Sequence, residues 1–182
     1  MIRRQMLTTI AATAFIPAIL AAPQLFAADV AAMGDAEKKH AEMTKMTGAL
    51  SLATSRIALA NADSEMVKMF AKFEVAEQET IADILKSMTM DKAEGALKVP
   101  TDAEVDAMLD PTGKEMVSKL KGLKGAEFDK HYVAGQLDGH KKLLAIQEDY
   151  LKAGQNREHL SVAKLARGMV KEHIDHLEMI KA

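Results

Sequence analysis

Residues 128–151 read FDKHYVAGQLDGHKKLLAIQEDYL. At about 100° per residue, Val133, Leu143, Leu144 and Leu151 gather on one side of a helix. Asp129, Gln136, His140 and Gln147 project in nearly one direction along the middle of that same side. A helix that only packs would carry leucine there. An unsatisfied buried amide or imidazole costs roughly 1–3 kcal/mol, so this stripe requires partners on neighbouring helices.

The rest of the chain supplies such neighbours. Ala, Leu, Lys, Glu and Met dominate and are helix formers, and no stretch sustains strand alternation. A first helix is predicted over residues 35–60, burying Met43, Met46, Leu50, Ala53 and Ile57. A turn at 61–64 follows, with Asp63 or Ser64 as N-cap. The second helix, over 65–88, buries Met66, Phe70, Ile81, Ile84 and Met88. Residues 89–112 form a crossover, with a short helix opened by a Thr101/Glu104 capping box and ended by Asp110-Pro111. Another short helix covers 112–123, and Gly122 and Gly125 break the chain. The opening stretch is the third long helix, Gly154 its C-cap, and a fourth runs over 157–181. Two long helical hairpins joined by such a crossover predict an all-α, ferritin-like four-helix bundle. About 155 residues suffice for one core, so residues 29–182 form one domain.

Residues 1–28, MIRRQMLTTIAATAFIPAILAAPQLFAA, read as a signal peptide: Arg3 and Arg4, an apolar run over 6–22, then small residues. The alternative is an uncleaved anchor, disfavoured by Pro17 and by a run shorter than the ~20 apolar residues that span a bilayer. Arg3-Arg4-Gln5-Met6-Leu7 also matches a twin-arginine signal in outline, although the general export route is favoured. The expected location is periplasmic or secreted, without stable membrane insertion once the signal is removed. The chain has 24 basic and 26 acidic residues, and loss of Arg3 and Arg4 leaves 22 basic, a net charge of −4. That balance gives no electrostatic case for nucleic acid. The absence of cysteine excludes disulfides, thiolate catalysis and Cys-ligated zinc.

Inward polar residues on the other helices are the candidate partners of the stripe. On the second helix, Glu77 falls in the centre of the face made by Met66, Phe70, Ile81 and Ile84, with Glu74 toward its edge. On the fourth, His173 falls among Val162, Ala166, Met169, Leu177 and Ile180, and His176 is offset by about 60°. With a turn near Gly154, Gln136 stands level with His173, and His140 lies about 6 Å nearer the loop. The candidate metal ligands are therefore Glu77, His140, His173 and His176, with Gln136 as a further cofactor-binding residue. Imidazole and carboxylate suit Zn, Fe, Mn or Cu. The same residues also fit a satisfied polar network that sets helix register, and a small-molecule site is a third reading. The four-carboxylate pattern of di-iron bundles is missing. His40, Met43 and Met46 have a spacing that suits copper(I), but methionine filling core gaps is the preferred account. His131 and His159 read as ordinary, and no phosphate loop or nucleophile elbow occurs.

Three segments carry a family resemblance: FEVAEQETIADIL (Phe73–Leu85), the opening stretch, and REHLSVAKLARGMVKEHIDHLEMI (Arg157–Ile180). They resemble an exported bacterial family known as domain of unknown function 4142, often labelled outer-membrane or periplasmic. Its most specific parts are the block around Gln136, Gly139 and His140 and the histidine matching His176. The resemblance implies a ferritin-like helical fold and no established activity. It also implies an acidic residue on the first helix and an Asp-His pair on the second. The matching positions here are Ser51 or Ala53, and Glu77-Gln78. The expected role is non-enzymatic, binding or stress-related work in the cell envelope, around a transition metal. The alternatives are a metal-dependent oxidoreductase and a purely structural or interaction module.

Overall fold

The computed structural model describes residues 33–90 and 94–181. The signal-peptide segment 1–28 lies outside them. The described residues form six helices and no strand: α1 (Asp35–Asn61), α2 (Glu65–Ser87), α3 (Asp102–Met108), α4 (Pro111–Lys121), α5 (Gly125–Ala153) and α6 (Arg157–Lys181). The described part of the chain is all-α, as its composition implies. Helix α1 packs on α2 and α5, α5 packs on α6, and α2 and α6 touch sparingly. The short helices α3 and α4 of the crossover lie against α1. Val67, Phe70, Leu120, Phe128, Tyr132, Leu137 and Leu177 build one apolar cluster, while Ala49 and Leu52 meet Val105, Leu109 and Val117 under the crossover. Among the described residues no helix is long and apolar enough to cross a membrane.

The ends of these helices follow local chemistry. Ser64 Oγ accepts from Val67 N at 3.4 Å, and the Thr101/Glu104 capping box is complete. Asp110 caps α4, with Pro111 in the first turn, where a missing N–H does no harm. Asp129 on α5 takes the N–H groups of Asp63 at 3.2 Å and Ser64 at 2.8 Å, tying the start of α2 to α5. Gly125 opens α5 at φ +58°, a conformation that favours glycine.

The buried positions advance in alternate steps of three and four residues on every long helix, the spacing of an interhelical seam. On α1 this row includes Ala41, Thr44, Gly48, Ser51, Ser55 and Ala58; on α2 it includes Val67, Ala71, Glu74 and Gln78, with Leu85 two steps further on. On α5 they include Val133, Gln136, His140, Leu143, Gln147 and Tyr150; on α6, His159, Ala163, Ala166, Val170, His173 and Leu177. The α1 face therefore differs from the expected methionine stripe: Met43 and Met46 are 37% and 43% exposed. Small residues set the rotation of α1 because they let backbones approach. A Cβ at Gly48 would collide with the Gln78 amide of α2. Met66 on α2 is likewise exposed, whereas Phe70 is buried as expected.

Gly154 caps α5 for a reason other than backbone freedom. Its φ of −65° and ψ of 144° are extended, not left-handed. A Cβ there would meet the Tyr150 ring carbons at 2.6 and 2.7 Å. Gly154→Ala is expected to lower stability by about 1–3 kcal/mol through overpacking, read as a lower urea midpoint at unchanged m. An unchanged midpoint would mean that the Tyr150 ring yields freely.

Candidate metal centre

The seam positions Glu74, His140 and His173 meet where α2, α5 and α6 come together. One ligand atom from each lies within 4.8 Å of the others. His140 Nε2 is 3.2 Å and His173 Nδ1 2.8 Å from Glu74 Oε2, and the two nitrogens are 3.1 Å apart. Glu74 and His140 are wholly buried, and His173 nearly so. Phe70 presents a tilted ring to both imidazoles, at centroid distances of 5.9 and 5.1 Å, and forms an apolar wall.

The outer partners of the rings determine what the inner atoms offer. His140 Nδ1 lies 2.8 Å from the Gln136 carbonyl, which only accepts, so Nδ1 carries the proton and the neutral ring turns a bare Nε2 inward. His173 Nε2 lies 2.9 Å from Glu77 Oε2, which favours a proton there and frees Nδ1. That contact is at ion-pair distance although the N–H direction misses the oxygen, which has no hydrogen-bond partner. Three lone pairs thus converge: two imidazole nitrogens and one carboxylate oxygen. Such a cluster must hold either a proton or a cation. In the protonated state, burial alone would lower the His173 pKa, but the bonds and charges of Glu74 and Glu77 outweigh it and raise it to about 9. Burial would raise the Glu74 pKa, yet His140 and His173 hold it well below the usual carboxylate range.

The donor set also fits a metal. Two histidines and a glutamate match sites for Zn and for non-haem Fe, with outer acceptors fixing the ring tautomers. Ligands about 2.1 Å from a tetrahedral ion stand roughly 3.4 Å apart, so the triangle would open by a few tenths of an ångström. Glu74 Oε1 is held by Ser51 Oγ, which also lies 2.6 Å from Gln136 Oε1. The Gln136 amide N–H groups reach Thr54 Oγ1 at 2.9 Å and Ser55 Oγ at 3.1 Å, and Ser55 meets Tyr132 OH at 2.8 Å.

The structure brings His140 and His173 together at 3.1 Å, although Gln136 is the α5 residue expected level with His173. Glu77 stands behind His173 with a side chain 32% exposed, and Glu74 occupies the inner position instead. Gln136 is buried, but its side chain serves the hydroxyls of α1 and only its carbonyl reaches His140. His176 is exposed and outside the cluster. Glu74 falls at an edge when α2 is centred on Met66, Phe70, Ile81 and Ile84. The steps Val67, Ala71, Glu74, Gln78 were the signal that would have found it.

A second polar cluster lies at the α5–α6 turn. Glu37 Oε1 accepts from Tyr150 OH at 2.8 Å and from the N–H groups of Gln155 and Asn156, both at 3.4 Å. His159, expected to be ordinary, is 1% exposed within this cluster. The Tyr150 hydrogen bond leads in lowering the Glu37 pKa to about 2, against an opposing effect of burial. A depressed carboxylate contributes stability above its unfolded pKa, and that contribution is lost as pH falls from about 4.5 toward 2. Glu37→Gln is expected to be less stable than wild type by roughly 1–3 kcal/mol at pH 6. The gap should narrow below about pH 4.5 and close near pH 2 in paired denaturation curves, and a gap independent of pH would refute this role.

A family model described as "Domain of unknown function (DUF4142)" matches residues 22–180. No curated protein and no solved structure matches the chain.

Proposed function

The chain belongs to the DUF4142 family, and from its buried centre we propose an exported, ferritin-like four-helix-bundle protein that binds one transition-metal ion. The observation that carries this reading is the convergence of His140 Nε2, His173 Nδ1 and Glu74 Oε2, with outer acceptors turning lone pairs inward. Glu74, His140 and His173 would hold the ion, which would supply Lewis acidity or redox chemistry at any open position. Glu77 orients His173, and Gln136 with Ser51 keeps Glu74 aligned. The ferritin-like assignment is supported by the long hairpins α1–α2 and α5–α6 joined through α3 and α4. The signal-like residues 1–28 support a periplasmic or secreted location. A binding or stress-related role in the cell envelope follows by analogy of fold.

Metal analysis of protein purified after export tests this directly. About one Zn, Fe, Mn or Cu per chain is expected, with a lower melting temperature after chelation. Less than about 0.1 ion per chain, with melting unchanged by chelator, would reject both a binding protein and a metal-dependent oxidoreductase. A specific feature favours a structural second reading: a protonated His173 stands at ion-pair distance from Glu74 through Nδ1 and from Glu77 through Nε2. That reading predicts a chelator-insensitive protein in which His140→Ala still lowers stability by a few kcal/mol.

A further inference from the structure

Seven residues along α5 from His140, about 10 Å at 1.5 Å per residue, the polar stripe reaches another pair of buried imidazoles. His40 on α1 and His159 on α6 are 3% and 1% exposed. Their ring centroids are 5.4 Å apart, and Tyr150 stacks on His40 at 4.3 Å. Each Nε2 faces an acceptor: His40 Nε2 donates to Gln147 Oε1 at 2.8 Å, and His159 Nε2 to the Glu37 carbonyl at 3.4 Å. A neutral ring protonated on Nε2 keeps a bare lone pair on Nδ1. Burial holds both rings in that neutral form, against the opposing pull of Gln147 on His40 and of Glu37 on both. Both Nδ1 atoms are shut from solvent and have no hydrogen-bond partner. One orphaned buried acceptor is uncommon; two on adjacent rings, both in need of a Lewis acid or a donor, point to a shared ligand.

The surroundings narrow its chemistry. His40 and Met43, one turn apart on α1, line the same groove of about 510 Å³ between α1 and α5. Met43 is 37% exposed, so core filling does not account for it. Two imidazole nitrogens and a thioether form a soft donor set, which favours Cu(I) over the harder divalent ions. Lys39, Lys142 and Asp149 also line the groove, so its charge is mixed and the soft donor set is what selects the ion. We propose that His40, His159 and Met43 form a second metal site, for a soft monovalent cation of the Cu(I) class, beside the α1–α5 groove that His40 and Met43 line.

The site is independent of the Glu74 centre, and the test separates them. Purified mature protein is titrated anaerobically with Cu(I) against a chromophoric chelator. His40→Phe and His159→Phe are each expected to lose one Cu(I) equivalent that His140→Ala retains, and Met43→Leu to hold that equivalent more weakly. Equal Cu(I) binding by wild type and both Phe variants overturns the proposal, as does loss of that equivalent in His140→Ala. Should the Phe variants not fold, nitrogen-15 spectra of the wild-type imidazoles decide. The Nδ1 resonances of His40 and His159 should leave the lone-pair range on adding one Cu(I), and unshifted resonances would refute the site and assign these nitrogens to buried water.

Discussion

Glu74→Gln is expected to abolish metal binding while leaving the metal-free protein folded. The carboxylate Oε2 is the common neighbour of His140 Nε2 and His173 Nδ1, at 3.2 and 2.8 Å. An amide of the same shape removes the negative charge and presents either a poorer oxygen ligand or an N–H that competes for an imidazole lone pair. Metal content should fall from about one ion per chain to less than about 0.1, while metal-free stability changes by no more than about 1 kcal/mol because a buried charge also disappears. Glu74→Ala is a different experiment. It leaves a buried imidazolium without its partner and opens a cavity, so it should cost about 3–5 kcal/mol. Elemental analysis and urea denaturation of the two variants read these effects apart. Wild-type metal content in Glu74→Gln would remove Glu74 from the ligand set.

Gln136→Leu should produce the larger loss among the residues that do not touch the ion. Its amide serves Thr54 Oγ1, Ser55 Oγ and the Ser51 carbonyl, and its oxygen faces Ser51 Oγ. Leucine fills the volume but leaves buried hydroxyls on α1 without that partner, each worth roughly 1–3 kcal/mol. Partial compensation, as in Ser55 to Tyr132 OH, brings the expected total to about 3 kcal/mol. For a domain of this size that is a fall in melting temperature of roughly 6–12 °C. Ser51 would also lose its link between Gln136 and Glu74, so metal affinity should weaken by about 10–100-fold, as when outer partners of ligands are removed. A variant as stable as wild type would show that water replaces the amide at no cost.

Much of α5 is legible without tertiary information. Gln136, His140 and Gln147 are all buried, and each finds partners on α1, α2 or α6. Asp129, at the end of that stripe, stitches α5 to the start of α2. The stripe was legible because a polar residue between leucines stands out against an apolar background. Helix α1 was misread for the opposite reason. Its buried face is mostly Ala, Gly, Ser and Thr, with Leu52 its one large aliphatic residue, and carries little hydrophobic signal, while its methionines lie outside. His159 was passed over because a first-turn position is usually exposed, yet the α5–α6 turn folds Glu37 and Tyr150 around it.

The sequence by itself determined the helical class, the capping of α2 and α3, and the polar interior of α5, because propensity, capping and amphipathic period act within a few turns of chain. Only the tertiary structure decided how each helix is rotated about its own axis. Glu74 and Glu77 lie about 60° apart around α2, so a modest rotation exchanges which carboxylate meets His140. Close contacts between helices set that rotation: Gly48 admits Gln78, and Phe70 wedges against His140 and His173. These contacts join residues far apart in the chain, and no local pattern encodes them.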